Sequence, residues 1–231
     1  MPVLVNHDHK FIFMHVTKTG GTSVWIKIME EHPETQIISR GGKLVSMEDV
    51  DLTKGKDSRI TQHSSVVPHL APVRIRKILK PEVYDNYFKF GFVRNPYEWM
   101  ASLFLYRRRT LGSRIPRKHL IRGFNNYVTS QFIKHKERTQ KHWVPNPPLS
   151  KTSFVGLFEN LQSDFDLITS YIGINSMKLP RLNGSSKTQY LTDNVYLDKN
   201  ILDHVTKMLA RDINLYETLS GKKAIDGIRT S

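Results

Sequence analysis

Lys18, Thr19, Gly20, Gly21, Thr22 and Ser23 follow directly on the apolar segment 11–16, so that one lysine precedes two glycines and two hydroxyl residues. This is the residue set of an anion cradle. Glycine lets backbone N–H groups come close to a phosphate-like group, a following helix offers its unpaired N-terminal donors and positive dipole end, and Lys18 adds a full charge. A second set lies in Phe92-Val-Arg-Asn-Pro-Tyr-Glu-Trp-Met-Ala-Ser102. Arg94 emerges where an apolar segment stops, and Ser102, seven residues beyond Asn95, returns after nearly two helical turns to the side where the chain entered. Arginine offers a planar, permanently charged fork and serine a short directional donor, a suitable pair for one phosphate. Two bland readings compete: a tight strand-to-helix turn capped by Thr22, and an Arg94 that merely pairs with Glu98.

Two anion cradles point to nucleotide chemistry, but not to the nucleoside-triphosphate loop G-x-x-x-x-G-K-[ST], in which lysine follows the glycines and precedes a magnesium-binding hydroxyl. Here the lysine comes first, which disfavours a kinase or NTPase. The whole chain is basic, with 35 Lys and Arg against 21 Asp and Glu, a formal net charge of +14. Such a field attracts nucleotides, nucleic acids, acidic lipids and acidic polysaccharides alike. Arg107, Arg108, Arg109, Arg114, Arg117, Lys118 and Arg122 fall in one stretch without an acid, either a solvated helix end or a binding surface.

These residues need a scaffold, and 231 residues with 39% hydrophobic and 24% charged content suffice for one packed domain. We expect a single domain over residues 1–219 and a loose tail over 220–231. No apolar run of membrane-spanning length and no leader-like start are visible, so a cytoplasmic location without a membrane span is expected. The absence of cysteine excludes disulfides and thiolate metal sites.

Residues 11–16 are almost wholly apolar, as in a strand buried on both faces, and Val24, Trp25, Ile28 and Met29 predict a helix from Thr22 to Glu31. Residues 40–59 read as a surface excursion with at most a short hairpin, and residues 68–86 as one or two short helices interrupted at Pro81. A second strand is predicted over 87–93, followed by a helix starting at Asn95-Pro96 with Trp99, Met100, Leu103, Phe104 and Tyr106 inward. A helix over 124–135, a rigid loop over 143–148 and a third strand over 154–158 follow. Leu161, Phe165, Ile168 and Ile172 mark a helix ended by Gly173, and Ile201, Leu202, Val205, Leu209 and Ile213 a last amphipathic one. Alternation of strand and helix predicts an α/β fold: a P-loop-like three-layer domain with a central, mainly parallel sheet flanked by helices, whose ligands sit beyond the carboxyl ends of the strands.

On these motifs the chain resembles the sulfotransferases that use 3′-phosphoadenosine 5′-phosphosulfate, in particular the carbohydrate type to which the heparan and chondroitin Golgi enzymes belong, with small bacterial relatives. Their 5′-phosphosulfate loop, His-x-Pro-Lys-Thr-Gly-Gly-Thr-Ser, is matched from His15 to Ser23, with Thr17 in place of the usual proline. Their 3′-phosphate motif, Val-Arg-(Asp/Asn)-Pro followed by serine, is matched from Val93 to Ser102. Weaker similarity lies in Phe154-Val-Gly-Leu-Phe-Glu159, in Leu182-Asn183 with Ser185, and in Asp212 to Tyr216.

The resemblance implies that Lys18, Thr19, Gly20, Gly21, Thr22 and Ser23 bind the 5′-phosphosulfate, with Lys18 also catalytic, and that Arg94 and Ser102 bind the 3′-phosphate. Lys187 is a weaker candidate for that phosphate, an exposed loop lysine being the competing reading. It implies no metal and a hydroxyl acceptor, expected to be a saccharide and, given the basic surface with Lys134, Lys136 and Lys141, an acidic one. The acceptor hydroxyl needs a base. His63, in the segment between the two motifs, is the first choice. His69 lies close by, His142 beside Trp143 could line the acceptor cleft, Glu159 is the non-histidine alternative, and His15 reads as structural. Two other classes stay open, a P-loop kinase-like phosphotransferase and a non-catalytic binder of polyanions, although no nucleic-acid motif is present.

Overall fold

A computed structural model describes residues 3–39, 42–46, 70–110, 112, 116–132, 139–180 and 186–226. They fall into two compact units, one from residues 1–93 and 142–182, the other from residues 94–141 and 183–231. The first unit holds the sheet. Among the described residues its strands are β1 (Val3–Asn6), β2 (Phe11–Met14), β3 (Gln36–Ile38), β4 (Leu44–Val45), β5 (Phe88–Val93), β6 (Leu149–Ser150) and β7 (Ser153–Leu157), in the order β4-β3-β1-β2-β5-β7-β6.

The sheet is mixed rather than mainly parallel. Only β2 with β5 and β5 with β7 run parallel, while β1 pairs antiparallel with β2 and β3, β3 with β4, and β6 with β7. The three parallel strands are those that the apolar runs predicted, and their carboxyl ends share one edge. Side chains alternate across β1 and β2 into two cores. Leu4, Phe11 and Phe13 join Phe90 and Phe92 with Val24, Trp25, Ile28 and Met29 of α1 (Gly21–Glu31) and Phe165 and Ile168 of α6 (Leu161–Tyr171). Val3, Val5, Ile12 and Met14 instead meet Leu70, Ile75 and Leu79 around α2 (Pro72–Ile78), with α3 (Pro81–Asn86) beside it. Helices thus cover both faces, giving the three layers of an α/β fold. Each fully buried phenylalanine contributes about 1.5–3 kcal/mol, so this aromatic centre anchors the strand ends from which the loops leave.

The second unit is helical in its described residues: α4 (Pro96–Thr110), α5 (Leu120–Asn126), a π turn (Tyr127–Gln131), α7 (Ser186–Val195), α8 (Lys199–Met208) and α9 (Ala210–Ser220). Trp99, Phe104, Phe124, Leu191, Val205 and Leu215 are buried in it, with Phe104 and Phe124 edge to face at 5.7 Å between centroids. Two expectations change here. The last predicted helix is two helices broken at Leu209, whose φ of −103° and ψ of 14° leave the helical region. The segment expected to be loose begins tied down: Ala224 is fully buried, its N–H donates to Glu217 Oε1 at 2.9 Å and its carbonyl accepts from Asn95 Nδ2 at 2.8 Å. No helix among the described residues is long and apolar enough to cross a membrane.

Candidate functional site

In the first unit, β2 runs out at Met14 and the chain turns through residues 15–20 into α1. Lys18 and Gly20 both occupy the left-handed region, with φ of 68° and 77°. For Gly20 this costs nothing; for a lysine it is an uncommon conformation that the surroundings must hold. Thr19, fully buried, does part of that holding by donating its hydroxyl to Val16 O at 2.9 Å. Its side chain therefore closes the loop, and only its backbone can serve a ligand.

The two glycines have separate steric reasons. A Cβ on Gly20 would stand 2.6 Å from Leu161 Cδ2 and 3.0 Å from Phe158 Cδ2, and one on Gly21 would land on the Cδ2–Nε2 edge of the His15 ring. His15, 4% exposed, is thus the floor on which α1 begins, which agrees with its structural reading. The helix starts at Gly21 with Gly20, which has no side chain, as N-cap. Thr22, expected as the first helical residue or cap, lies inside the first turn. Ser23 N donates to Gly20 O at 2.9 Å and closes the first turn, so the amides ahead of it and the positive end of the helix dipole lie in the loop that carries Lys18.

The turn packed on this loop is the one after β7. Phe158 and Leu161, whose side chains border Gly20, flank Glu159, which is exposed on a 3-10 turn, Phe158–Asn160. Below it Asp164 Oδ2 accepts from Leu157 N at 2.6 Å; burial pushes the Asp164 carboxyl up, and that N–H holds it back. Glu159 is therefore carried by a braced turn that touches the loop. His63 and His69 lie outside the described residues, as do residues 182–185 of the weaker similarity. His142 is exposed and packs edge to face on Trp143, 4.9 Å between centroids.

In the second unit, Arg94 precedes α4, and Arg94, Glu98 and Ser102 recur at four-residue spacing along one helix face. The Arg94 guanidinium donates to Glu98 Oε2 from Nε at 3.1 Å and from Nη2 at 2.5 Å, the pairing that the bland reading anticipated. Glu98 thereby fixes the plane of the fork. Ser102 is buried, at 6% exposure, two turns into α4. Asn95 caps the helix, its Oδ1 accepting from Tyr97 N at 3.1 Å.

Gln140, absent from the sequence reading, holds the Arg94 backbone. Its Oε1 accepts from Arg94 N at 2.7 Å and its Nε2 donates to Arg94 O at 2.9 Å, and it is 1% exposed. The next residue is pinned in turn: Lys141 N donates to Asp212 Oδ1 at 2.6 Å. Burial pushes the Asp212 carboxyl up, opposed by the Lys141 N–H, the Thr139 hydroxyl and the Lys141 charge. A chain of buried polar bonds thus runs from α9 to the backbone of Arg94. Lys187 is exposed in the first turn of α7.

Of the basic stretch, Arg107 is exposed in the last turn of α4, where cations suit the helix dipole. Arg108 and Arg109 stack over the Phe104 and Tyr106 rings at 5.7 and 6.0 Å, and Lys118 and Arg122 are exposed. Arg114 lies outside the described residues.

The Lys18 loop, with the amides of a helix start beside one lysine, is equipped to bind a phosphate-like anion, and Arg94, its guanidinium held by Glu98, supplies a second strong cation at the start of α4. Compared with known proteins, residues 1–217 match the model of a family described as the sulfotransferase family. No curated protein and no solved structure matches the chain.

Proposed function

Since the chain belongs to the sulfotransferase family, we propose that it moves the sulfuryl group of 3′-phosphoadenosine 5′-phosphosulfate to a hydroxyl of a saccharide acceptor. The observation that carries the donor assignment is the start of α1, reached through a left-handed Lys18 and Gly20 and opened by two glycines packed against His15, Phe158 and Leu161. In this reading the amides from Thr19 to Thr22 hold the non-bridging oxygens of the 5′-phosphosulfate as preorganised dipoles, with the hydroxyls of Thr22 and Ser23 at the same helix start. Arg94 and Ser102 take the 3′-phosphate, with Lys187 as a further cation for it, and this remote contact aligns the donor for reaction.

Transfer forms a bond from the acceptor oxygen to sulfur and breaks the bond from sulfur to the bridging phosphate oxygen. Negative charge grows on that oxygen, and Lys18 neutralises it. The hydroxyl proton passes to a base, assigned to His63, with Glu159 the alternative because its turn packs on the loop. The products are a sulfate ester and 3′-phosphoadenosine 5′-phosphate. The exposed cations at the end of α4 and on α5 favour an acidic acceptor.

Incubation with donor labelled in its sulfuryl group and a panel of neutral and acidic saccharides, read by mass shift, tests the reaction. Label should pass to a saccharide, transfer should stop in His63→Ala, and donor binding should survive that change. Transfer of phosphate from ATP with magnesium, and none of sulfate, would replace this reading with a kinase. If His63→Ala turns over normally while Glu159→Gln does not, the base is Glu159.

A further inference from the structure

We propose that His9, His32 and Glu34 form a binding site for a divalent transition-metal ion of the zinc class, at the edge of the sheet opposite the Lys18 loop. Each offers one ligand atom, and the three atoms lie within 4.8 Å of one another. Zinc bonds of about 2.0–2.2 Å in a tetrahedral arrangement put ligand atoms about 3.3 Å apart. His32 Nδ1 and Glu34 Oε1 already stand 3.2 Å apart, so small rotations of half-exposed side chains complete the set.

The convergence is built by the topology. β1 pairs with β2 from Asn6 opposite Phe11 and with β3 from Val5 opposite Gln36, which brings the turn over residues 7–10 beside the turn over residues 32–35. His32 closes α1, its N–H donating to Ile28 O at 2.8 Å, and Pro33 stiffens the step to Glu34. Asn6 organises both turns from a fully buried position. Its Nδ2 donates to Glu34 Oε1 at 2.8 Å and to Thr35 Oγ1 at 2.9 Å, and its Oδ1 accepts from His9 N at 2.7 Å. Such outer-shell bonds orient ligands ahead of the metal.

The neighbouring His7 does not join the set, which among the described residues holds His9, His32 and Glu34; its Nδ1 is bonded to Tyr87 OH at 2.7 Å. The ring nitrogens of His9 and His32 with one carboxylate suit zinc, cobalt or nickel and disfavour calcium and magnesium, which prefer all-oxygen sites. Three protein ligands leave the fourth position to water. The ion ties the β1–β2 turn to the α1–β3 turn, a structural clasp separate from the anion loop.

The test is a calorimetric titration of the full chain, stripped by chelation, with zinc chloride alone. One ion per chain is expected, with a rise in melting temperature, and cobalt(II) should give the visible bands of a tetrahedral site. Losing an outer-shell partner costs about ten- to hundredfold in affinity, so His9→Ala, His32→Ala and Glu34→Gln should each weaken zinc by about a hundredfold or more. Circular dichroism of each variant without metal should match the parent. Absence of stoichiometric binding, or binding undiminished in the His9→Ala/His32→Ala variant, overturns the site. Stabilisation by 3′-phosphoadenosine 5′-phosphate in these variants, and zinc binding in Lys18→Ala, keep this result distinct from that of the donor assignment.

Discussion

Gly21 and His15 should be energetically coupled. A Cβ at residue 21 would overlap the Cδ2 and Nε2 atoms of the His15 ring and stand 3.0 Å from its Cγ, so the ring, 4% exposed, must leave its place or α1 must lift. Overpacking of this kind costs about 1–3 kcal/mol, set against a gain of up to about 1 kcal/mol for alanine over glycine in a helix. His15→Ala alone deletes a buried ring and should cost about 2 kcal/mol, from lost packing. In the double variant the methyl enters space the ring has vacated, so the clash disappears and the helix gain remains. Urea denaturation of the four proteins should give a double variant about 1–3 kcal/mol more stable than the sum of the single effects. Gly21→Ala should also weaken 3′-phosphoadenosine 5′-phosphate, because the first amides of α1 move with the helix start. Additive effects within about 0.5 kcal/mol would refute the packing of Gly21 on His15.

Gln140→Leu strands the N–H and carbonyl of Arg94; with two bonds of about 1 kcal/mol each, stability should fall by about 2 kcal/mol in urea. The same variant should lose affinity for 3′-phosphoadenosine 5′-phosphate yet keep its affinity for adenosine 5′-phosphosulfate, which has no 3′-phosphate; equal losses would make Gln140 a structural residue only. Asp212→Ala, which leaves the Lys141 N–H without its acceptor, should cost about 1–3 kcal/mol. Because burial raises the folded-state pKa of Asp212, the folded chain keeps that proton longer than the unfolded chain. Its stability contribution is therefore full below the ordinary aspartate range and declines as pH rises towards the raised value. Asp212→Asn retains an acceptor without a proton to lose, so urea midpoints across pH should show that decline in the parent and not in the variant; parallel curves would count against a buried, proton-holding Asp212.

Much of the scaffold around the site could be read from the residues. β2, β5 and β7 announce themselves because strands buried on both faces are nearly continuous apolar runs, and Pro72, Pro81 and Pro96 begin helices where proline suits a first turn. The short outer strands β3, β4 and β6, of two or three residues, carry too few positions for any period to show, and their antiparallel pairings, with that of β1 on β2, make the sheet mixed. The break at Leu209 is invisible in the spacing, since Val205, Leu209 and Ile213 continue one helical stripe. It shows only through Asp212, which the break accompanies into burial against Lys141. In the loop, the pattern of lysine and glycines was legible, but the reason for each glycine was not: it lies in His15, six residues back, and in Phe158 and Leu161 far along the chain. Gln140 had no local signal at all, its partner Arg94 being 46 residues away.

Calorimetric binding of 3′-phosphoadenosine 5′-phosphate tests the proposed donor, and the roles proposed for Lys18 and Arg94, most directly. The parent chain should bind it, while ATP with magnesium should not compete; Lys18→Ala and Arg94→Ala should each weaken it, and adenosine 5′-phosphate should lose most of the penalty of Arg94→Ala. Binding that survives both changes together, or that is displaced by ATP with magnesium, would contradict the account.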